Sequence, residues 1–256
     1  MVVVGICSRD RQELLVEMVD KFGEVGKVVV VDSSITPLNT LSNYYHLPNF
    51  TIAMARAYIL NRYGHERLLM VDDNVVVSLE EVKKFIDCPI SSDVAIETAS
   101  YANLSFKDGE EEMEVVNPYK LYILNKINHN YDIHLPYGVF EDKQIGIDTW
   151  LSGKRVVKLP IRFSRKYGKG GVLGEDIRTT EKRKKYFDLS SSYFMWKYKF
   201  IQFSSDYRML VGVNKLKKLV GEYDDLIEKT TKEALKLNED SMYEAIYIPS
   251  FLNWGE

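Results

Sequence analysis

Arg67-Leu68-Leu69-Met70-Val71-Asp72-Asp73-Asn74-Val75-Val76-Val77 is an apolar run that breaks at two adjacent carboxylates and an amide, then resumes. Its first half reads as an interior strand. Turn chemistry alone accounts for Asp-Asp-Asn, because these side chains bond to nearby backbone groups. Two carboxylates beside an oxygen-donor amide also suit a hard divalent cation, Mg²⁺ or Mn²⁺, carrying a phosphate-bearing ligand. The surroundings of the stretch must separate the two readings.

Upstream, residues 2–6 are continuous and β-branched, as in a strand buried on both faces. Cys7-Ser8-Arg9 forms a short loop. Asp10 and Glu13 have capping-box spacing, and Leu14, Leu15, Met18, Val19 and Phe22 recur at helical spacing until Gly23 and Gly26 end the helix. Residues 28–31 give a second buried strand, ending at Asp32-Ser33-Ser34. The βαβ order predicts parallel strands. Ligands of such sheets bind beyond the carboxyl ends of the strands, an edge that collects Arg9, Asp32, Asp72 and Asp73. No Gly-x-Gly-x-x-Gly follows the first strand and no Gly-x-x-x-x-Gly-Lys-Ser/Thr loop is present, which argues against a Rossmann dinucleotide site and a P-loop. An arginine and an aspartate at successive strand ends can still hold a nucleotide; each is equally a solvated loop charge.

Residues 35–50, with Pro37 and Pro48, read as an irregular connection. Residues 51–62 read as a helix whose alanines (Ala53, Ala55, Ala57) pack on the sheet while Arg56 reaches out, to phosphate or to a surface ion pair. Gly64 breaks it. Ser78 and Glu81 form a capping box ahead of a short helix over 79–86. Residues 93–99 are a predicted strand, 100–106 and 113–116 a hairpin turning at Asp108-Gly109, and 119–124 a further strand. Glu110-Glu111-Glu112 is a solvated face of that hairpin. Glu141-Asp142 heads a helix over 143–151 that ends at Gly153. The helix dipole favours carboxylates there, and it also fixes an ionised group of the kind a general base requires. Residues 155–159 read as a strand, followed by a basic, glycine-bearing loop over 162–171 that includes Arg165 and Lys169 and suits closure over a diphosphate.

The 256 residues are 45% apolar and 28% charged, an ordinary globular composition with ample core. Seventeen Tyr and eleven Phe suit either an aromatic core or surfaces that stack sugars or bases. Two cysteines make no disulfide framework, so a reducing cytoplasm is expected. The first residues lack the basic flank of a signal peptide, and no run approaches a membrane span. The net charge of −3 hides an asymmetry. Residues 154–185 hold twelve Lys/Arg against three acids, a net +9 that leaves −12 for the rest. This segment is either a polyanion-facing surface or a solvated helix face. Aromatics mixed with lysines follow over 193–200, and residues 223–237 read as an amphipathic helix.

In combination and in order, the marks resemble a GT-A-fold nucleotide-sugar glycosyltransferase of the inverting type. The resemblance covers residues 2–160. It rests on the loop arginine Arg9, on Asp32 at the position that contacts the base, and on the Ala-rich helix carrying Arg56. Asp72-Asp73-Asn74 resembles the Asp-x-Asp motif, and Glu141-Asp142 resembles the catalytic Glu-Asp motif. It implies an α/β fold with a mostly parallel central sheet flanked by helices over residues 1–175. Residues 1–104 would hold the nucleotide sugar, residues 105–175 would form the acceptor and catalytic half, and residues 176–256 would be a helical extension docked on it. It further implies donor contacts from Cys7, Ser8, Arg9, Asp32, Arg56, Asp72, Asp73, Arg165 and Lys169. Asp73 and Asn74 would hold Mn²⁺ or Mg²⁺. Asp142 would be the general base beside Glu141, and the reaction a hexosyl transfer from a UDP-linked donor. The acceptor would be a glycan, a lipid or a hydroxymethylated base of DNA. The related nucleotidyltransferases stay as an alternative, although Cys7-Ser8-Arg9-Asp10 lacks their glycine-rich start, and so does a non-catalytic binding module. Asn74 departs from the family's second Asp, and all four histidines (46, 65, 129, 134) precede the Glu-Asp helix, where members place a metal-ligating His.

Overall fold

A computed structural model describes residues 2–9, 11–38, 41–48, 50–101, 113–115, 117–135, 140–166, 190, 193–194 and 197–198. The strands are β1 (Val2–Ser8), β2 (Gly26–Asp32), β3 (Tyr44–His46), β4 (Arg67–Asp72), β5 (Val75–Val76), β6 (Val94–Tyr101), β7 (Met113–Val115), β8 (Leu121–Asn125) and β9 (Arg155–Arg165). The helices are α1 (Gln12–Gly23), α2 (Ile52–Tyr63), α3 (Leu79–Asp87) and α4 (Glu141–Leu151). The sheet runs β3-β2-β1-β4-β8-β6-β9-β5, with β7 also on β9. Pairing directions set β5, β7 and β8 against the other six strands, so the sheet is mostly parallel, as expected.

The continuous apolar runs serve two cores, because successive residues of a strand face opposite sides. Val4, Ile6, Leu69 and Val71 join Leu15, Met18 and Phe22 of α1 and Val82 and Phe85 of α3. Val3, Val29, Leu68 and Met70 join Met54, Ala55 and Ile59 of α2 and Ile145 of α4. Each fully buried large side chain contributes about 1.5–3 kcal/mol by transfer. Gly5 marks where β1 and α2 approach closely: a Cβ there would lie 2.8 Å from Ile59 Cγ2 and 2.9 Å from Met70 Sδ.

Several expectations need correction. The connection over 35–50 contains β3, which extends the sheet by pairing with β2; three residues between prolines carry too little pattern to be read as a strand. β6 runs from Val94 to Tyr101 with two register irregularities against β9, and β7 also pairs with β9. Whether 100–106 and 113–116 form the expected hairpin rests on residues 102–112, which lie outside the described residues. The turn at 108–109 and the acids at 110–112 lie outside the described residues. β9 extends to Arg165, so the first part of the expected basic loop is strand, paired with β5 through Val75 and Arg165. Its outward positions are polar (Lys158, Arg162, Ser164), which disguised a strand of eleven residues. Gly26 does not end α1 but opens β2. The helix has Arg11 at its N-cap, with no side-chain cap bond. The cap at Ser78 does form, its side chain accepting from Glu81 N. The basic stretch beyond 166, the helix over 223–237 and the tail lie outside the described residues, as does most of the expected C-terminal extension.

Candidate active site

The Asp72-Asp73-Asn74 stretch is both a strand end and a turn. Asp72 closes β4, and Asp73-Asn74 turn the chain into β5. β4 lies beside β1, with Asp72 opposite Cys7, and β1 lies beside β2, with Ser8 opposite Asp32. The carboxyl ends of three strands thus bring Cys7, Ser8, Asp32, Asp72 and Asp73 to one edge.

Each carboxylate oxygen of the pair has a partner. Asp72 Oδ1 accepts from Arg56 at 2.5 Å, and Oδ2 accepts from Lys120 Nζ. Asp73 Oδ1 accepts from Arg11 at 2.5 Å, and Oδ2 accepts from the Ser8 hydroxyl at 3.1 Å. Burial alone would raise the Asp72 pKa, but Lys120 and Arg56 bring it down to about 2. Asp73 is raised, chiefly by burial and against the pull of Arg11.

Arg56 does not reach out from α2. It is 4% exposed and turned inward, where it donates to Asp72 and, at 2.7 Å, to Glu141 Oε1. Its guanidinium carbon lies 5.5 Å from the Tyr122 ring centroid and 6.0 Å from that of Tyr131. The two phenols bond to each other at 2.5 Å. The alanines on either side of Arg56 are small enough to let it enter the interior, and one buried cation thereby joins the two acidic motifs.

Glu141 and Asp142 occupy the first turn of α4. Phe140 before them is left-handed (φ 73°), a conformation costly for a bulky side chain. Its ring is held against Phe194, with centroids 5.8 Å apart, and Phe194 packs on Tyr198 at 4.7 Å. Tyr198 and Lys197 also bind Asp148 on α4, while Tyr193 and Lys197 bind Asp132. Burial pushes the Glu141 pKa up to about 8, against the lowering effect of Arg56 and with further raising by Asp142 and Asp72. Asp142 is likewise raised by burial, with Arg56 and Lys143 opposing. With its amide turned so that both of its groups are satisfied, Asn117 donates to Asp142 Oδ2 at 3.2 Å.

The other expected donor contacts are placed as follows. Asp32 is fully buried; Ser34 N and Oγ bind its Oδ1, and the Tyr44 hydroxyl its Oδ2 at 2.5 Å. The Cys7 thiol is buried, which pushes it up to about 12 and away from nucleophilic use. Arg9 is half-buried in the loop after β1. Arg165 is half-buried at the end of β9, 5.9 Å from the Tyr119 ring. Lys169 lies outside the described residues. An open cavity of about 650 Å³, lined by Leu60, His65, Lys126 and His129 among others, sits at the opposite edge, by the start of β4 and the end of β8, and holds none of these groups.

A divalent ion fits this donor set poorly as it stands. Every oxygen of Asp72 and Asp73 is engaged, three of the four by cations. What is left is Asn74 Oδ1, buried without a hydrogen-bond partner, and one neutral oxygen does not hold such an ion. No group of three or more His, Cys, Asp or Glu that could hold a metal occurs among the described residues.

Sequence reasoning passed over Arg11, Lys120, Asn117 and Tyr44. Arg11 stands two residues after Arg9 and was readable as a second loop cation. Lys120 was not readable, because it reaches Asp72 only once β8 pairs antiparallel with β4.

No protein-family model and no curated protein matches the chain. Among solved structures it is similar to S. aureus TarS, at TM-score 0.50 and 13% identity, over 95% of this chain and 55% of the length of TarS. It is similar also to S. aureus TarS 1-349, and to that fragment in complex with UDP-GlcNAc, both at TM-score 0.50 and 13% identity, over 96% of this chain and 92% of the fragment. At that identity the likeness is one of fold, and the fold is GT-A-like.

Proposed function

We propose that the chain is a glycosyltransferase that moves a sugar from a nucleoside diphosphate, UDP by preference, to an acceptor hydroxyl with inversion. The observation that carries this reading is the buried Arg56 bridge, which sets Asp72 at the carboxyl edge of the sheet beside the Glu141-Asp142 pair at a helix N-terminus. The fold of a protein solved with UDP-GlcNAc supports it. In this reading Asp142 accepts the proton of the attacking hydroxyl. A raised pKa brings a carboxylate toward the pH at which a base works best. Glu141 and Asp142 titrate as a pair, both raised by burial, and the pair keeps a proton into the neutral range. The hydroxyl then attacks the anomeric carbon from the face opposite the departing diphosphate, which inverts that centre.

The acceptor is a glycan or lipid hydroxyl. A second reading, a hydroxymethylated base of DNA, draws on the +9 segment over 154–185. Duplex binding with a steep salt dependence favours it, whereas liposome association indifferent to DNA favours the lipid.

The test is release of sugar or free nucleoside diphosphate from a panel of sugar nucleotides. The chain turns over at least one, and Asp142→Asn lowers that turnover by roughly 10²–10⁴-fold while retaining donor binding. Turnover of none supports a binding module instead.

No helix among the described residues is long and apolar enough to cross a membrane.

A further inference from the structure

The three cations that hold Asp72 and Asp73 differ in depth. The side chain of Arg56 is 5% exposed, that of Arg11 12% and that of Lys120 24%. Arg56 is also shared with Glu141, so its departure would take a partner from two carboxylates at once. Arg11 and Lys120 stand on the solvent side and are differently placed. If Lys120 moves, Asp72 keeps Arg56; if Arg11 moves, Asp73 keeps the Ser8 hydroxyl. Both come from segments at the carboxyl edge: Arg11 from the loop after β1, Lys120 from the residue that precedes β8 and whose carbonyl accepts from Asp72 N.

We infer that Arg11 and Lys120 are the diphosphate ligands of this site, exchanging Asp73 and Asp72 for the phosphate oxygens of the donor, so that donor binding needs no divalent ion. Together they bring two positive charges, the charge a divalent ion would bring. The guanidinium offers a bidentate fork and the ammonium a compact charge with three donors, the two cationic forms best suited to phosphate. The aspartates hold these cations in position before the donor arrives, which lowers the cost of ordering them on binding. The inference rests on the nucleoside-diphosphate reading above and assigns that ligand's contacts.

Isothermal titration of UDP, with GDP, ADP and inorganic pyrophosphate in parallel, into the full chain in EDTA and then in Mn²⁺ tests it. At least one nucleoside diphosphate binds in EDTA. Arg11→Met and Lys120→Met each weaken that binding by about tenfold or more, the loss of one charge-assisted hydrogen bond. Lys120→Arg retains it, which separates lost charge from lost folding, and Lys84→Met, on an exposed ion pair of α3, leaves it unchanged. Binding that appears only with Mn²⁺, or that is indifferent to both Met variants in EDTA, overturns the inference and leaves the transferase reading standing. Binding of no nucleoside diphosphate under either condition overturns both.

Discussion

The two carboxylate pairs at the sheet edge face different numbers of cations. Asp72 and Asp73 meet Arg56, Lys120 and Arg11, while Glu141 and Asp142 share Arg56 and have Lys143 nearby. The consequence appears in their protonation. Asp72, with two cations, is held down to about 2, whereas Asp73, with Arg11 alone, is raised, as are Asp142 and, to about 8, Glu141. Burial raises all four, so depth does not distinguish them; the cations do. The first pair is an organiser of positive charge. The second has only the shared Arg56 with Lys143 nearby, and burial raises both of its carboxylates.

Removing the proposed proton acceptor is the harshest break. Asp142→Asn lowers turnover by roughly 10²–10⁴-fold with donor affinity retained, measured by product release and by titration. An unchanged rate would move the base elsewhere. Removing the shared cation follows. Arg56→Met leaves Asp72 and Glu141 buried without their common partner and costs about 3–5 kcal/mol in urea unfolding; a variant as stable as the parent would mean that the bridge does not join the pairs. A milder change lies beneath it. Tyr122→Phe strips the Tyr131 hydroxyl of its 2.5 Å partner at a buried site and costs about 1–3 kcal/mol, read from the same unfolding curves.

Titration is the gentlest probe. Glu141 has its ordinary pKa of 4.5 raised to about 8, so the folded chain keeps a proton that the unfolded chain releases. That contribution is fully present below 4.5 and is lost as pH rises through 8. Asp72 behaves oppositely: its contribution is present above 3.8 and is lost as pH falls through about 2. Stability therefore declines from about pH 5 toward pH 8, and Glu141→Gln flattens that decline when the urea midpoint is followed across the range.

Much of residues 2–72 was legible because its signals are local. β1, β2 and β4 each carry a continuous apolar run, and each ends at the polar residues that reach the edge. Both acidic motifs stood out for the same reason. The pairing that completes the site is not local. β8 enters between β4 and β6, and this alone carries Lys120 to Asp72 across 48 positions of sequence. Arg56 was legible as a functional cation on an alanine-rich helix, but its direction was not: flanking alanines permit an arginine to point either way, and only the carboxylates and the Tyr122-Tyr131 pair beneath decide it. β3 and β7, at three residues each, are strands by virtue of their neighbours more than of their own composition.

The left-handed turn at Phe140 has a consequence for the order in which the molecule is made. A bulky residue in that conformation costs about 1–3 kcal/mol and persists only when its surroundings hold it. Part of what holds it is Phe194, itself packed on Tyr198. The parallel strands and their helices can be assembled while the chain is still emerging from the ribosome. The turn that leads into Glu141 and Asp142 is braced by a residue more than fifty positions further on. A nascent chain stalled before residue 194 would carry the strand ends of the sheet edge without that brace on Phe140.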